Sequence, residues 1–127
     1  MRPMTILERL RHPFPHPQTV CFACGASNAN GLKLQFRVDD DGSAIADWTP
    51  SDIWEGYRGI IHGGIVSTVL DEAMSKAVAA ATQPALTCHL EVRLRRAVAP
   101  GESLVMRGGL SESVSATFGW KRNSATG

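Results

Sequence analysis

Between Leu32 and Val38 apolar and polar residues alternate, the two-residue period of a strand with one buried face. Ser43 to Trp48 alternates again, with Ala44, Ala46 and Trp48 on one side, and the turn residues Asp39 to Gly42 lie between the two stretches, so the pair predicts an antiparallel hairpin. From Ile65 to Ala81 the period changes. At about 100° per residue Val66, Leu70, Ala73, Ala77 and Ala81 gather on one side, flanked by Val69 and Met74, which predicts the chain's one long helix. Alternation returns from Leu86 to Leu94 and extends to Val98 as a long strand. Pro100 and Gly101 then turn the chain, Ser103 to Arg107 predicts another strand, Gly108 and Gly109 a break, and Val114 to Trp120 a fifth strand. Strands, one long helix and more strands give an α+β class, with a helix packed on an antiparallel sheet.

Length and composition narrow this to one domain over residues 1–127, of which 43% are hydrophobic. Its first 31 residues read as an irregular N-terminal wrap: a short helix from Thr5 to Leu10, then Pro13, Pro15 and Pro17, each fixing φ and removing a donor. A formal net charge of +1 supplies no global drive toward nucleic acid or an anionic membrane. The longest apolar stretch, Gly59 to Ala81, is interrupted by His62, Asp71, Glu72 and Lys76, unlike a membrane span. Three cysteines, with no charged-then-apolar leader ahead of them, point to the reducing cytoplasm. Since a single helix covers one face of a sheet and leaves its edges open, an oligomer is expected.

Candidate chemistry clusters around the predicted helix. His62, Gly63 and Gly64 lie just ahead of it, where free N–H groups and the helix dipole can hold an anion or a developing oxyanion; the same residues also suit a tight turn. His62 reads either as a general base or as a residue that holds the loop by hydrogen bonds. Asp71 sits on the arc opposite the apolar stripe among Ser67, Thr68 and Ser75, small residues that let a second subunit's backbone come close. Glu72, four residues before Lys76, pairs with it and ranks second as a catalytic carboxylate. Cys21 and Cys24 offer a Cys-x-x-Cys spacing, but zinc needs further ligands and no second close pair stands in the chain, so they read as turn residues and no metal is expected. Arg93, Arg95 and Arg96 make a local basic cluster, either a solvated strand end or a phosphate clamp.

Taken together, the run from Gly59 to Met74, Gly-Ile-Ile-His-Gly-Gly-Ile-Val-Ser-Thr-Val-Leu-Asp-Glu-Ala-Met, resembles the acyl-CoA thioesterases of the hotdog superfamily, specifically the phenylacetate-degradation type. Cys21 to Gly25, Asn28 to Leu32 and Thr87 to Arg96 look like flanking segments of one bacterial branch. The resemblance implies a hotdog fold, an antiparallel sheet wrapped around one central helix, with active sites at the interface of a homodimer or homotetramer. It implies hydrolysis of acyl-CoA to free acid and CoA with no cofactor. The position matching Gly63 polarises the thioester carbonyl through its N–H, with His62 and Gly64 in support. The carboxylate matching Asp71 acts as base or nucleophile from the neighbouring chain, and Thr87 matches a hydroxyl residue that helps position water. Trp54 and Tyr57 are expected along the acyl pocket, and Arg95 and Arg96 near the CoA phosphates. This chain departs from the pattern at Gly56, where many relatives carry Asn or Gln, and at Ala97, where Pro is usual. Relatives also continue with a further strand beyond the one placed at Val114 to Trp120, which would leave the C-terminal strand shortened here. A non-catalytic acyl-CoA-binding protein, or a hydroxyacyl-thioester dehydratase with His62 moving the proton, are the other readings.

Overall fold

The computed structural model describes residues 20–83 and 85–121; the helix predicted at Thr5 to Leu10 lies outside them. Four strands form one antiparallel sheet in chain order: β1 (Arg37–Val38), β2 (Ala44–Trp48), β3 (Leu104–Leu110) and β4 (Val114–Trp120). The helix α1 (Gly63–Ala81) packs on this sheet, chiefly on β2, β3 and β4. The hairpin turn closes with the Asp39 N–H donating to the Ser43 carbonyl at 2.8 Å, and Gly42 takes φ +84°, a conformation costly for a side chain.

The sheet meets the helix through three rows of residues. In register, Ala44, Gly108 and Ala116 make one row; Ala46, Met106 and Phe118 the next; Trp48, Leu104 and Trp120 the third. Side-chain volume therefore grows from one row to the next. At the smallest row the helix backbone comes so close that a Cβ built on Gly108 would lie 2.2 Å from the Ala73 carbonyl oxygen. Ala44, Ala46, Val69, Ala73, Leu104 and Met106 are fully buried between the layers. Burial of this apolar surface, at about 25 cal/mol per Å², is what holds the helix on the sheet.

Three predicted elements come out differently. Gly108 and Gly109 do not break the strand: β3 runs through both, because the missing side chain at Gly108 serves helix packing. The strand predicted at Leu32 to Val38 joins the ladder only at Arg37–Val38. Upstream, Leu32 and Leu34 spend their N–H groups on the carbonyls of Phe22 and Ala23, at 2.8 and 2.9 Å, and Lys33 between them takes φ +53°. The long strand predicted from Leu86 to Val98 makes no ladder among the described residues. Its stretch 91–96 faces β4 across an open cleft of about 520 Å³ rather than pairing with it. Alternation selects which side chains share a face, but a strand needs a neighbour offering N–H and C=O groups in register.

Candidate functional site

A loop with a 3-10 turn at Asp52–Trp54 delivers the chain to the start of α1. The His62 N–H donates to the Trp54 carbonyl at 2.9 Å, and Trp54 packs edge-on against Phe22, which fixes the loop's entry to the helix. His62 is the N-cap residue. Its ring Nδ1 accepts the Gly64 N–H at 2.8 Å, so the imidazole does the work usually done by a Ser or Asp oxygen. With Nδ1 occupied as an acceptor, the neutral ring carries its proton on Nε2. Replacing His62 by Ala frees the Gly64 N–H, and a loss of about 1 kcal/mol is expected in urea-induced unfolding. Gly63 stands at the first helical position and its N–H takes no part in this cap. A Cβ on Gly63 would come 3.0 Å from Leu94 Cδ1, the movable end of an exposed side chain, and one on Gly64 would come 3.0 Å from the His62 ring. An open cleft of about 440 Å³ adjoins this end of the helix, lined by Trp54, Glu55, His62, Gly64, Ile65 and Thr68 among others.

Two turns further along α1, Asp71 is half-buried and accepts a hydrogen bond from Thr87 Oγ1 at 2.7 Å. A second cleft, about 250 Å³, opens here between Asp71, Met74, Ser75, Val78 and the stretch 85–90. Ser67 and Thr68 turn their hydroxyls back onto the carbonyls of Gly63 and Gly64, both at 2.8 Å. Their donors are thereby used within the helix. The stretch 85–94 thus runs back along the helix, with Thr87 at Asp71 and Leu94 beside Gly63.

Asp71 and Glu72 are neighbours in sequence with separate surroundings. Glu72 bonds Lys76 Nζ at 3.2 Å on a largely buried flank, and the same Nζ donates to Cys24 Sγ at 3.4 Å. Burial, and then the Glu72 carboxylate, push the Cys24 thiol well above the usual thiol range. The helical spacing anticipates the Glu72–Lys76 pair, but its burial under the Cys21 to Gly25 turn was not visible in one dimension. Tyr57 is 86% exposed and lines none of the three clefts. Arg95 and Arg96 line the 520 Å³ cleft, where the Arg96 guanidinium lies 4.1 Å over the Trp120 ring and 3.8 Å from Glu102 Oε2. At Gly56 a Cβ would come 3.2 Å from His62 Cα, so the loop packs on the cap where relatives are expected to carry an amide side chain.

Gly63 and Asp71 stand eight residues apart, a rise of about 12 Å along the helix axis. An attacking oxygen and the carbonyl it attacks must approach within about 3.5 Å. Within one chain the two groups therefore stand at well separated levels of the helix.

Residues 58–120 match the model of the Thioesterase superfamily. Among solved structures, a crystal structure of a thioesterase superfamily protein superposes with a TM-score of 0.71 at 23% identity, covering 81% of this chain. This chain spans 55% of that protein's length. A phenylacetic acid degradation-related protein from Ralstonia eutropha aligns at 18% identity over 70% of this chain and 83% of its own, with a TM-score of 0.49. A search of curated proteins gave no match.

Proposed function

Starting from a chain with the hotdog fold of the thioesterase superfamily, we propose that it hydrolyses acyl-CoA thioesters at sites shared between two copies of itself. The family match supports thioester hydrolysis in general. The observation that carries the finer reading is the Thr87 to Asp71 hydrogen bond of 2.7 Å in the lining of a cleft. It orients the carboxylate with Oδ1 engaged and Oδ2 available. A water donating one hydrogen to Oδ2 and the other to Thr87 Oγ1 points a lone pair out of the cleft. Asp71 is the general base: it takes the proton as the water oxygen bonds to the acyl carbon. The oxyanion that forms is held by the Gly63 N–H of the second copy, aided by the helix dipole, with His62 and Gly64 shaping that amide's surroundings. The carbon–sulfur bond then breaks and the CoA thiolate leaves.

The rise of about 12 Å between the two groups along one helix supports assigning the two halves to different chains. Exposed Leu86, Leu90 and Leu94, on a stretch with no ladder, give the second copy an apolar surface to cover. Met74 and Val114 line both the Asp71 cleft and the 520 Å³ cleft, which gives the acyl group an apolar continuation past the carboxylate. Trp54 stands as a wall at the Gly63 end.

Free-thiol release from a panel of short, aromatic and long acyl-CoA esters tests this reading. Turnover of at least one class at a rate well above buffer is the expected result. Saturable acyl-CoA binding without thiol release would instead assign a binding protein, and the absorbance of an enoyl product from a hydroxyacyl-CoA would assign a dehydratase.

A further inference from the structure

A second group of reactive side chains lies on α1's other flank, outside the proposed catalytic machinery. Cys21, Cys24 and Glu72 each present a ligand atom within 4.8 Å of the other two. The turn that carries both cysteines is tightly fixed. The Gly25 N–H donates to the Cys21 carbonyl at 2.7 Å, and the Phe22 and Ala23 carbonyls accept from Leu32 and Leu34. Cys21 is exposed, Cys24 is buried, and Lys76 Nζ contacts both Glu72 and Cys24. We propose that Cys21, Cys24 and Glu72 bind one zinc ion, with water in the fourth position on the exposed Cys21 side.

The donor set selects the metal class. Two sulfurs and one carboxylate oxygen suit zinc, whereas magnesium and calcium take oxygen alone. Zinc–sulfur bonds of about 2.3 Å in a tetrahedron place two sulfurs about 3.8 Å apart, so ligands within 4.8 Å need only a small contraction. Binding replaces both thiol protons: Zn²⁺ plus two thiols gives a zinc dithiolate plus two H⁺. Two thiolates, one carboxylate and the ion sum to a single negative charge, and Lys76, 3.2 Å from Glu72 and 3.4 Å from Cys24 Sγ, neutralises it. A buried lysine already donating to a ligand sulfur is the kind of outer contact that stabilises a thiolate at a metal. The zinc would close the Cys21 to Gly25 turn onto the helix, a structural role. Sequence spacing alone gave two ligands; the fold brings the third from 48 positions beyond Cys24.

The test uses the full reduced chain. Zinc affinity is measured by competition with a chromogenic chelator, metal content by mass spectrometry, and Co²⁺ is added as a spectroscopic substitute. Expected are one equivalent of zinc with Kd below about 1 μM, tetrahedral d–d bands and a thiolate-to-cobalt charge-transfer band. Cys21→Ser, at an exposed position, should weaken binding at least about tenfold while unfolding at a similar temperature without metal, and Glu72→Gln should weaken it as well. Binding no tighter than about 100 μM, a cobalt spectrum with no sulfur band, or unchanged affinity in Cys21→Ser overturns the proposal. So does a Cys21–Cys24 disulfide in the protein as purified that, once reduced, takes up no zinc. Zinc should also raise the unfolding temperature of the parent chain and leave that of Cys21→Ser unmoved, which separates ligation from a folding defect.

Discussion

Asp71→Asn should lower kcat/KM for the best acyl-CoA substrate by about 10²- to 10⁴-fold, the range for loss of a positioned general base. Asn is nearly isosteric, and its side-chain oxygen can still accept from Thr87 Oγ1, so the contact seen at 2.7 Å is kept while the proton acceptor is lost. KM should change little, because on the proposed mechanism the carboxylate acts on water and not on the CoA body. Asp71→Ala should match or exceed this loss, with the oligomer intact by size-exclusion chromatography. Thr87→Val should cost less, roughly tenfold, since it removes the orienting hydroxyl and leaves the base. Steady-state thiol release on purified variants decides the matter. If Asp71→Asn kept more than a tenth of the parent's kcat/KM, the carboxylate role would be lost from this position. Glu72 would be a poor heir, because its oxygen is engaged with Lys76 on the buried flank beside Cys24.

The largest expected effect on stability comes from Gly108→Ala. Its Cβ would lie 2.2 Å from the Ala73 carbonyl oxygen, 2.6 Å from the Ala73 carbonyl carbon and 3.1 Å from the Met74 nitrogen. All three are backbone atoms of α1, so no side chain can rotate away, and the helix would have to lift off the sheet along its smallest row. A destabilisation of about 3 kcal/mol or more is expected from urea unfolding, at or above the upper end for overpacking. The adjacent Gly109 supplies the control. Nothing lies within 4 Å of a Cβ built there, so Gly109→Ala should stay within about 0.5 kcal/mol of the parent. Equal losses at the two positions would show that the strand resists any side chain, and would refute close helix packing as the cause.

Periodic signals in the sequence carried the helix and the three strands that cover it. Val66, Leu70 and Ala73 are spaced for a helix, and Ala44, Ala46 and Trp48 for a strand, because each of these faces is buried against the other layer. The run Leu86 to Leu94 has an equally clear alternation yet forms no ladder among the described residues, since a period reports a face and is silent on the neighbour. Gly108 looked like a break for a similar reason: a glycine needed by an approaching helix and one needed by a turn are the same letter. The cap by His62 and the Thr87–Asp71 contact join residues whose roles the motif resemblance had already suggested. The Cys24–Lys76 contact spans 52 positions, and only the packing of the N-terminal turn on α1 brings those residues together.

One stretch of chain touches α1 at both ends of its functional arc, Thr87 at Asp71 and Leu94 beside Gly63. It behaves as a common rail for two groups assigned to different active sites. Shifting it along the helix would take the threonine off the carboxylate and the leucine away from Gly63 in the same step. On the proposed assignment, damage along this rail would be felt at two reaction centres at once.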